Sequence, residues 1–250
     1  HLYPLSRRLV VLVAAVLLCT LGALPVTAAR AATGASSTSA QGLKVSIALL
    51  NSLAAINVGL PTTARQAWST GGTTATESTL SPTTIGVPVL APSVVSAGVI
   101  SSTAGPAPGG GRAQAEVAGL SVLGASTLSA GAVKTACVMT PTAIDTTVDI
   151  ANLKVGGSSV VNPDVNLSVG VPGVLTATVD KRTAAWDSTT GMLDYTLRAI
   201  DIDLLSGLAV VANGNVVVAE SKCSGIVRLG PVAMTAAQAR PGQTVTPTVT

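Results

Sequence analysis

The sequence predicts an all-β fold: an antiparallel β-sandwich with one disulfide, behind an N-terminal signal peptide. Three observations carry this. Apolar and polar residues alternate over several stretches, which is the period of a half-buried strand. The composition suits sheets, because the chain has no Phe, two Trp and two Tyr among 250 residues. Its core is left to small aliphatic residues, with β-branched Val, Ile and Thr favouring a pleated surface. An export leader is followed by just two cysteines, Cys137 and Cys223. In an oxidising compartment an even pair reads as one bridge.

Residues 1–31 read as the leader. Arg7 and Arg8 form a basic start, residues 9–26 an apolar core ending near Pro25, and Ala29, Ala31 and Ala32 a small-residue cleavage pattern. Leu17 and Leu18 precede Cys19, which argues against a lipoprotein site. Cleavage removes Arg7, Arg8 and Arg30 from the fourteen Lys and Arg, leaving eleven against eleven Asp and Glu. The basic balance therefore belongs to the leader, and nucleic acid is not an expected partner. Membrane contact is expected only through the leader before cleavage, and the expected partners are cell-wall or extracellular.

The rest divides into a disordered mature N-terminus at 32–41, a β-rich domain at 42–230 and a Thr/Pro-rich tail at 231–250. "GLKVSIALL" places Leu43, Val45, Ile47 and Leu49 on one face. "LLNSLAAINV" is ambiguous and compatible with a short helix. Residues 61–82 read as a long surface loop, and "GPAPGGG" at 105–111 as a flexible one. Prolines 88 and 92 point to edge strands or breaks. "DVNLSVGV" alternates before a Pro172-Gly173 turn. Two strands then flank "DSTTG" at 187–191 as a hairpin. Its second strand changes face, with Leu193, Tyr195 and Leu197 on one parity and Ile200, Ile202 and Leu204 on the other. That change calls for a β-bulge near Ala199. Asn213-Gly214 reads as a tight hairpin turn.

Two motifs recur 33 residues apart: "SAGVISSTA" at 96–104 with "SAGAVKTAC" at 129–137, and "VAGLSVLG" at 117–124 with "IANLKVGG" at 150–157. This is the pattern of a duplicated strand pair. A solenoid needs a third copy, and none follows at Thr183. In the second copy Val133, Thr135 and Cys137 share a face; in "NVVVAESKC" so do Val217, Ala219, Ser221 and Cys223. The bridge then joins two strand ends.

The lone histidine, His1, lies in the leader, so the exported part has no imidazole for Ser-His-Asp or Cys-His catalysis or a histidine-bound metal. Carboxylates remain: Asp145 with Asp149, Asp201 with Asp203, and Asp187 and Asp194 singly. Asp201 and Asp203 sit about 7 Å apart on one strand face, a spacing near that of paired glycosidase acids. Alternation with Ile200 and Ile202 equally makes them the solvated face of a half-buried strand. Oxygen-ligand calcium sites at 162–166 or 187–191 lack carboxylates in register, and no cofactor or metal is expected. Trp186, beside the hairpin loop, either packs on its neighbour or offers a ligand contact.

The segments "GGGRAQAEVAGLSVLG", "VKTAC", "DIANLKVGG", "GVPGVLTATVDKRT", "LRAIDIDLLSGLA" and "VVVAESKC" resemble the actinobacterial choice-of-anchor P family over residues 41–223. The resemblance implies an exported or surface-located β-rich protein of unassigned biochemical role, with both cysteines at family positions. The family's C-terminal anchors have no counterpart in the Thr/Pro tail, which implies either release or an anchor farther on. The expected function is a non-catalytic extracellular or cell-surface structural or adhesive role. The alternatives are a carboxylate-based glycan hydrolase and a small-ligand or glycan-binding module.

Overall fold

The computed structural model describes residues 36–49, 55–63, 66–68, 72–87, 91–205 and 211–226. The leader, its cleavage residues Ala29, Ala31 and Ala32, and the 231–250 tail lie outside them. The described residues form strands and turns with no helix. The strands are β1 (Ser37–Leu49), β2 (Ala55–Thr62), β3 (Gln66–Ala67), β4 (Ala75–Thr79), β5 (Thr83–Val87), β6 (Ala91–Ala97), β7 (Ile100–Ala107) and β8 (Gly110–Val122). They continue as β9 (Leu128–Met139), β10 (Ile144–Ala151), β11 (Lys154–Val155), β12 (Ser158–Ser159), β13 (Leu167–Val171), β14 (Leu175–Asp187), β15 (Met192–Leu204) and β16 (Val211–Ile226).

Among the described residues all pairings are antiparallel, in two sheets. One runs β13-β14-β15-β16-β1-β2, with β3 also on β1. The other runs β12-β11-β9-β8-β6-β5, with β10 also on β9, β7 on β8 and β4 on β7. Strands β1 and β16 of the first sheet lie against β7, β8 and β9 of the second. The core between the sheets is small-chained: its largest fully buried residues are Leu, Ile, Met and Val, such as Leu43, Ile100, Leu120 and Met139. Trp68 fits between the sheets because Gly111 and Gly225 leave room, and a Cβ at either would overlap its indole.

Each sheet is crossed by a line at which its long central strands change face. In β15 the buried apolar residues are Leu197 and Ala199, then Ile200, Ile202 and Leu204; in β16 they include Val216 and Val218, then Ala219 and Cys223. In β1 the core takes Ala40, then Leu43, Val45 and Ile47. The face change expected at Ala199 is therefore present, but not as a bulge in one strand. The register is unshifted, from Val179↔Ile200 to Lys181↔Arg198 and from Arg198↔Glu220 to Ile200↔Val218. Left-handed residues in alternate strands, Asp180 (φ 50°) and Ala219 (φ 51°), turn the chain over together. Val217 consequently leaves the face shared by Ala219, Ser221 and Cys223, and the sequence expectation is corrected there.

The second sheet repeats the device, and the 33-residue repeat carries it. Gly119 (φ 63°) and Asn152 (φ 56°) hold equivalent places in the two motifs. The pairs Ile100↔Val117 and Val95↔Val122 recur as Val133↔Ile150 and Leu128↔Val155. The closing bonds recur as well: Leu123 N–H donates to Val94 O at 2.7 Å, and Gly156 N–H to Thr127 O at 2.8 Å. Leu123 and Gly156 share φ values of 53° and 57°. The repeated sequence is thus a repeated hairpin.

Four other expectations are corrected. Residues 37–41, expected in a disordered N-terminus, are strand, flanked by β16 on one side and by β2 and β3 on the other, with Ser37, Thr38 and Ala40 buried. The 61–82 loop contains the end of β2 and the strands β3 and β4. The 105–111 loop is a tight hairpin, turning at Gly109 (φ 74°); a Cβ at Gly110 would overlap the Met139 carbonyl. Asn213-Gly214 is no turn. It lies inside β16, with Gly214 opposite both Ile47 and Leu204, where a Cβ would meet Leu204 Cδ1 at 3.1 Å and Ile47 Cγ1 at 3.3 Å. Of the ambiguous "LLNSLAAINV", residues 55–58 are strand in β2 and 50–54 lie outside the described residues.

Space is open at Gly119, whose Cβ would lie 3.7 Å from Gly98 N. Only its left-handed backbone resists substitution, at about 1–2 kcal/mol for a non-glycine residue. Gly119→Val should lower unfolding free energy by at least about that amount. Gly119→Asn, the residue of the second copy, should cost less than half as much, because Asn tolerates this region. Urea denaturation of both variants checks this, and equal losses would contradict it.

Candidate functional site

Cys137 on β9 and Cys223 on β16 form a disulfide between the two sheets, with Cα atoms 6.3 Å apart. The bridge is fully buried, and one rung away Thr135 Oγ1 and Ser221 Oγ share a hydrogen bond of 2.8 Å. Closing an 86-residue loop stabilises by at most about 4–5 kcal/mol in the chain-entropy account. The cysteines act as a staple and carry no thiolate.

The most charged ground lies on the opposite face of the first sheet, beside its face-change line. Asp201 is only 4 % exposed. It accepts from Lys181 Nζ at 2.6 Å, Arg198 Nη1 at 2.9 Å and Asn215 Nδ2 at 2.9 Å. Arg198 Nε also donates to Glu220 at 2.7 Å, and Lys222 pairs with Glu220 at 3.0 Å. Burial pushes the Asp201 pKa up, but the bonds from Lys181, Asn215 and Arg198 outweigh it and hold the carboxyl below its ordinary range. Burial likewise works against the charge on Arg198, and Glu220 and Asp201 more than restore it.

The structure brings the sequence's carboxylate pair together through one amide. Asn215 Nδ2 donates to both Asp201 and Asp203, the latter at 3.0 Å. Asp203 is exposed, while Asp201 is not the solvated group that alternation suggested. A general acid of a glycosidase needs a raised pKa; Asp201 has the reverse environment. Asp145 and Asp149 are exposed on β10, and Asp194 is exposed on β15. Asp187 is occupied with its own turn: it accepts from Thr189 N at 2.9 Å and Thr190 Oγ1 at 2.7 Å. The Thr190 hydroxyl leads in holding its pKa low.

Of the calcium candidates, residues 187–191 are this self-satisfied turn. Asn162 and Pro163 of the other line a polar cleft of about 260 Å³ with Asp149 and Asp180. Both Asp180 oxygens are taken by Arg182 at 2.8 Å, and Arg182 Nη1 reaches across to Thr146 of the second sheet at 3.1 Å. Among the described residues no group of three His, Cys, Asp or Glu is placed to hold a metal. A second polar cleft, of about 280 Å³, crosses β1, β16 and β15 between Ser39, Lys222 and Thr196. Trp186 is 50 % exposed on β14, opposite Leu193.

Sequence reading missed Lys181, Arg198, Asn215 and Glu220 as a unit. The signal was present in the hairpin: its register sets the charged run 180–182 beside Arg198, next to the parity change. The chain matches no family model, no curated protein and no solved structure.

A carboxylate whose folded pKa is lowered adds stability that is complete above its unfolded value, near about 4. That contribution is lost as pH falls through the folded value. The unfolding midpoint should therefore be flat from neutral pH to about 5 and fall below about 4. Asp201→Asn should cost about 1–3 kcal/mol at neutral pH, a modest figure because Lys181 is partly exposed and solvent-screened. It should also flatten the acid limb. Thermal melts across pH test this; an unchanged acid limb in the variant would refute the role given to Asp201.

Proposed function

We propose that this is an exported, non-catalytic structural or adhesive protein of the extracellular space or cell surface, of the choice-of-anchor P type. The observation that carries the reading is the buried disulfide between the two sheets. Such bridges persist in oxidising compartments, and the leader-like residues 1–31 supply a route there. The charged network supports a structural role, because its carboxylates are ion-paired and Asp201 is kept ionised. The motif resemblance is in keeping with a surface location.

The glycan-binding alternative gains from one observation, the exposed indole of Trp186. The hydrolase alternative needs Asp201 or Asp203 as a proton donor and finds both held by Asn215.

Cells expressing the chain should yield it in the culture fluid or wall fraction. Its N-terminus should lie at or just after Ala31, and a Cys137–Cys223 peptide should appear by mass spectrometry without reductant. Cytosolic protein with an intact leader and free thiols would refute the proposal. Asp201→Asn with Asp203→Asn should leave a folded protein in the same fraction. Release of reducing sugar from wall glycans by the native protein, abolished in this double variant, would establish the hydrolase instead.

A further inference from the structure

We propose that the end of the β14–β15 hairpin is a carbohydrate-binding platform, with Trp186 stacking on a pyranose ring of an extended β-1,4-linked glycan. The inference rests on the extracellular reading above and gives it a ligand class.

The position is accessible by construction. β13 pairs with β14 only between Leu175 and Val179, so among the described residues the stretch 183–187 is an edge. Residues 183–190 are all exposed. Leu193 and Tyr195, on the same face, are half-buried and pack on the core, whereas the indole of Trp186 does not. A chain with so few aromatics thus leaves one of its two tryptophans half in water.

The platform is also held in shape. Asp187 accepts three bonds from Thr189 and Thr190, and Gly191 N–H donates to Asp187 O at 2.9 Å. Gly191 supplies the left-handed closing residue, with φ 65°. A turn fixed beforehand pays little ordering cost on binding.

Size and chemistry select the occupant. One indole on a short turn is far smaller than the roughly 800 Å² that each partner of a standard protein interface buries, so the fit is to a small ligand. The indole offers a flat apolar face at a wet boundary, matched by the C–H face of an all-equatorial pyranose. The exposed Ser188 and Thr189 stand as a hydroxyl rim for its equatorial groups. The one carboxylate in the turn is spent on the turn itself, which favours a neutral ligand over an ionic one.

The test titrates the purified mature protein with cellohexaose and, separately, chitohexaose, followed by proton–nitrogen NMR. Binding of either sugar should shift the Trp186 indole and the amides of 183–191. Trp186→Ala should lose at least about tenfold in affinity with an unchanged melting temperature, and Trp186→Phe should fall between. No shift with either sugar, shifts centred elsewhere, or a Trp186→Ala variant that binds like the native chain would overturn the proposal. So would self-association that Trp186→Ala abolishes, which would assign the indole to a second copy. A correctly exported, disulfide-linked protein that ignores both sugars defeats this inference alone and leaves the extracellular reading standing.

Discussion

Side chains along an extended strand alternate between faces, and one left-handed residue exchanges the alternation. A neighbour in register must make the same exchange or turn its apolar set towards water. This constraint organises both sheets. In the first it runs through Asp180, Ala199, Ala219 and Gly42; in the second through Gly98, Gly119, Gly131 and Asn152. Alternate strands carry the left-handed residue, so the intervening strands follow without paying for one themselves. Along this line Ala219 is the left-handed position where the strain is least relieved by residue type, because neither glycine freedom nor an Asn or Asp side chain is present there.

The line also explains why the charges sit where they do. Where the face changes, Asp180 turns towards the core side and needs a partner, which Arg182 supplies with both its oxygens bonded. On the other face Asp201 and Glu220 come close to buried and are compensated by Lys181, Arg198 and Lys222. Next to the same region, the Thr135–Ser221 bond and the Cys137–Cys223 bridge tie β9 to β16. A core of small aliphatic side chains gains little from any single contact, and a covalent tie between the layers compensates for that.

Much of the fold was legible because it depends on alternation. The Cys137 and Thr135 face, the hairpin around 187–191 and the parity switch at Ala199 all follow from period-two patterns. The repeat was legible too, since its copies keep the same apolar spacing from Val117 to Gly124 and from Ile150 to Gly157, although the left-handed place within it is Gly119 in one and Asn152 in the other. Glycine misled elsewhere because it serves two ends. At Gly214 and Gly111 it makes room for Ile47, Leu204 and Trp68, not for a turn, and nothing local in the sequence separates close approach from reversal. Residues 37–41 were misread for a related reason. Their mostly small polar side chains look solvated, but the segment pairs edge to edge with β16, a strand more than 170 residues away in the chain. The charged network was hidden by pairing and not by distance: Asn215 is 14 residues from Asp201 and Glu220 is 22 from Arg198, and β15–β16 register brings each to its partner.

The face-change line is most directly tested by backbone coupling constants and nuclear Overhauser contacts in solution. The account predicts positive φ at Gly119, Asn152, Asp180 and Ala219, with Ala199 and Ile200 both in contact with the core. Extended φ at those four residues, with Ala199 and Ile200 on opposite faces, would contradict it.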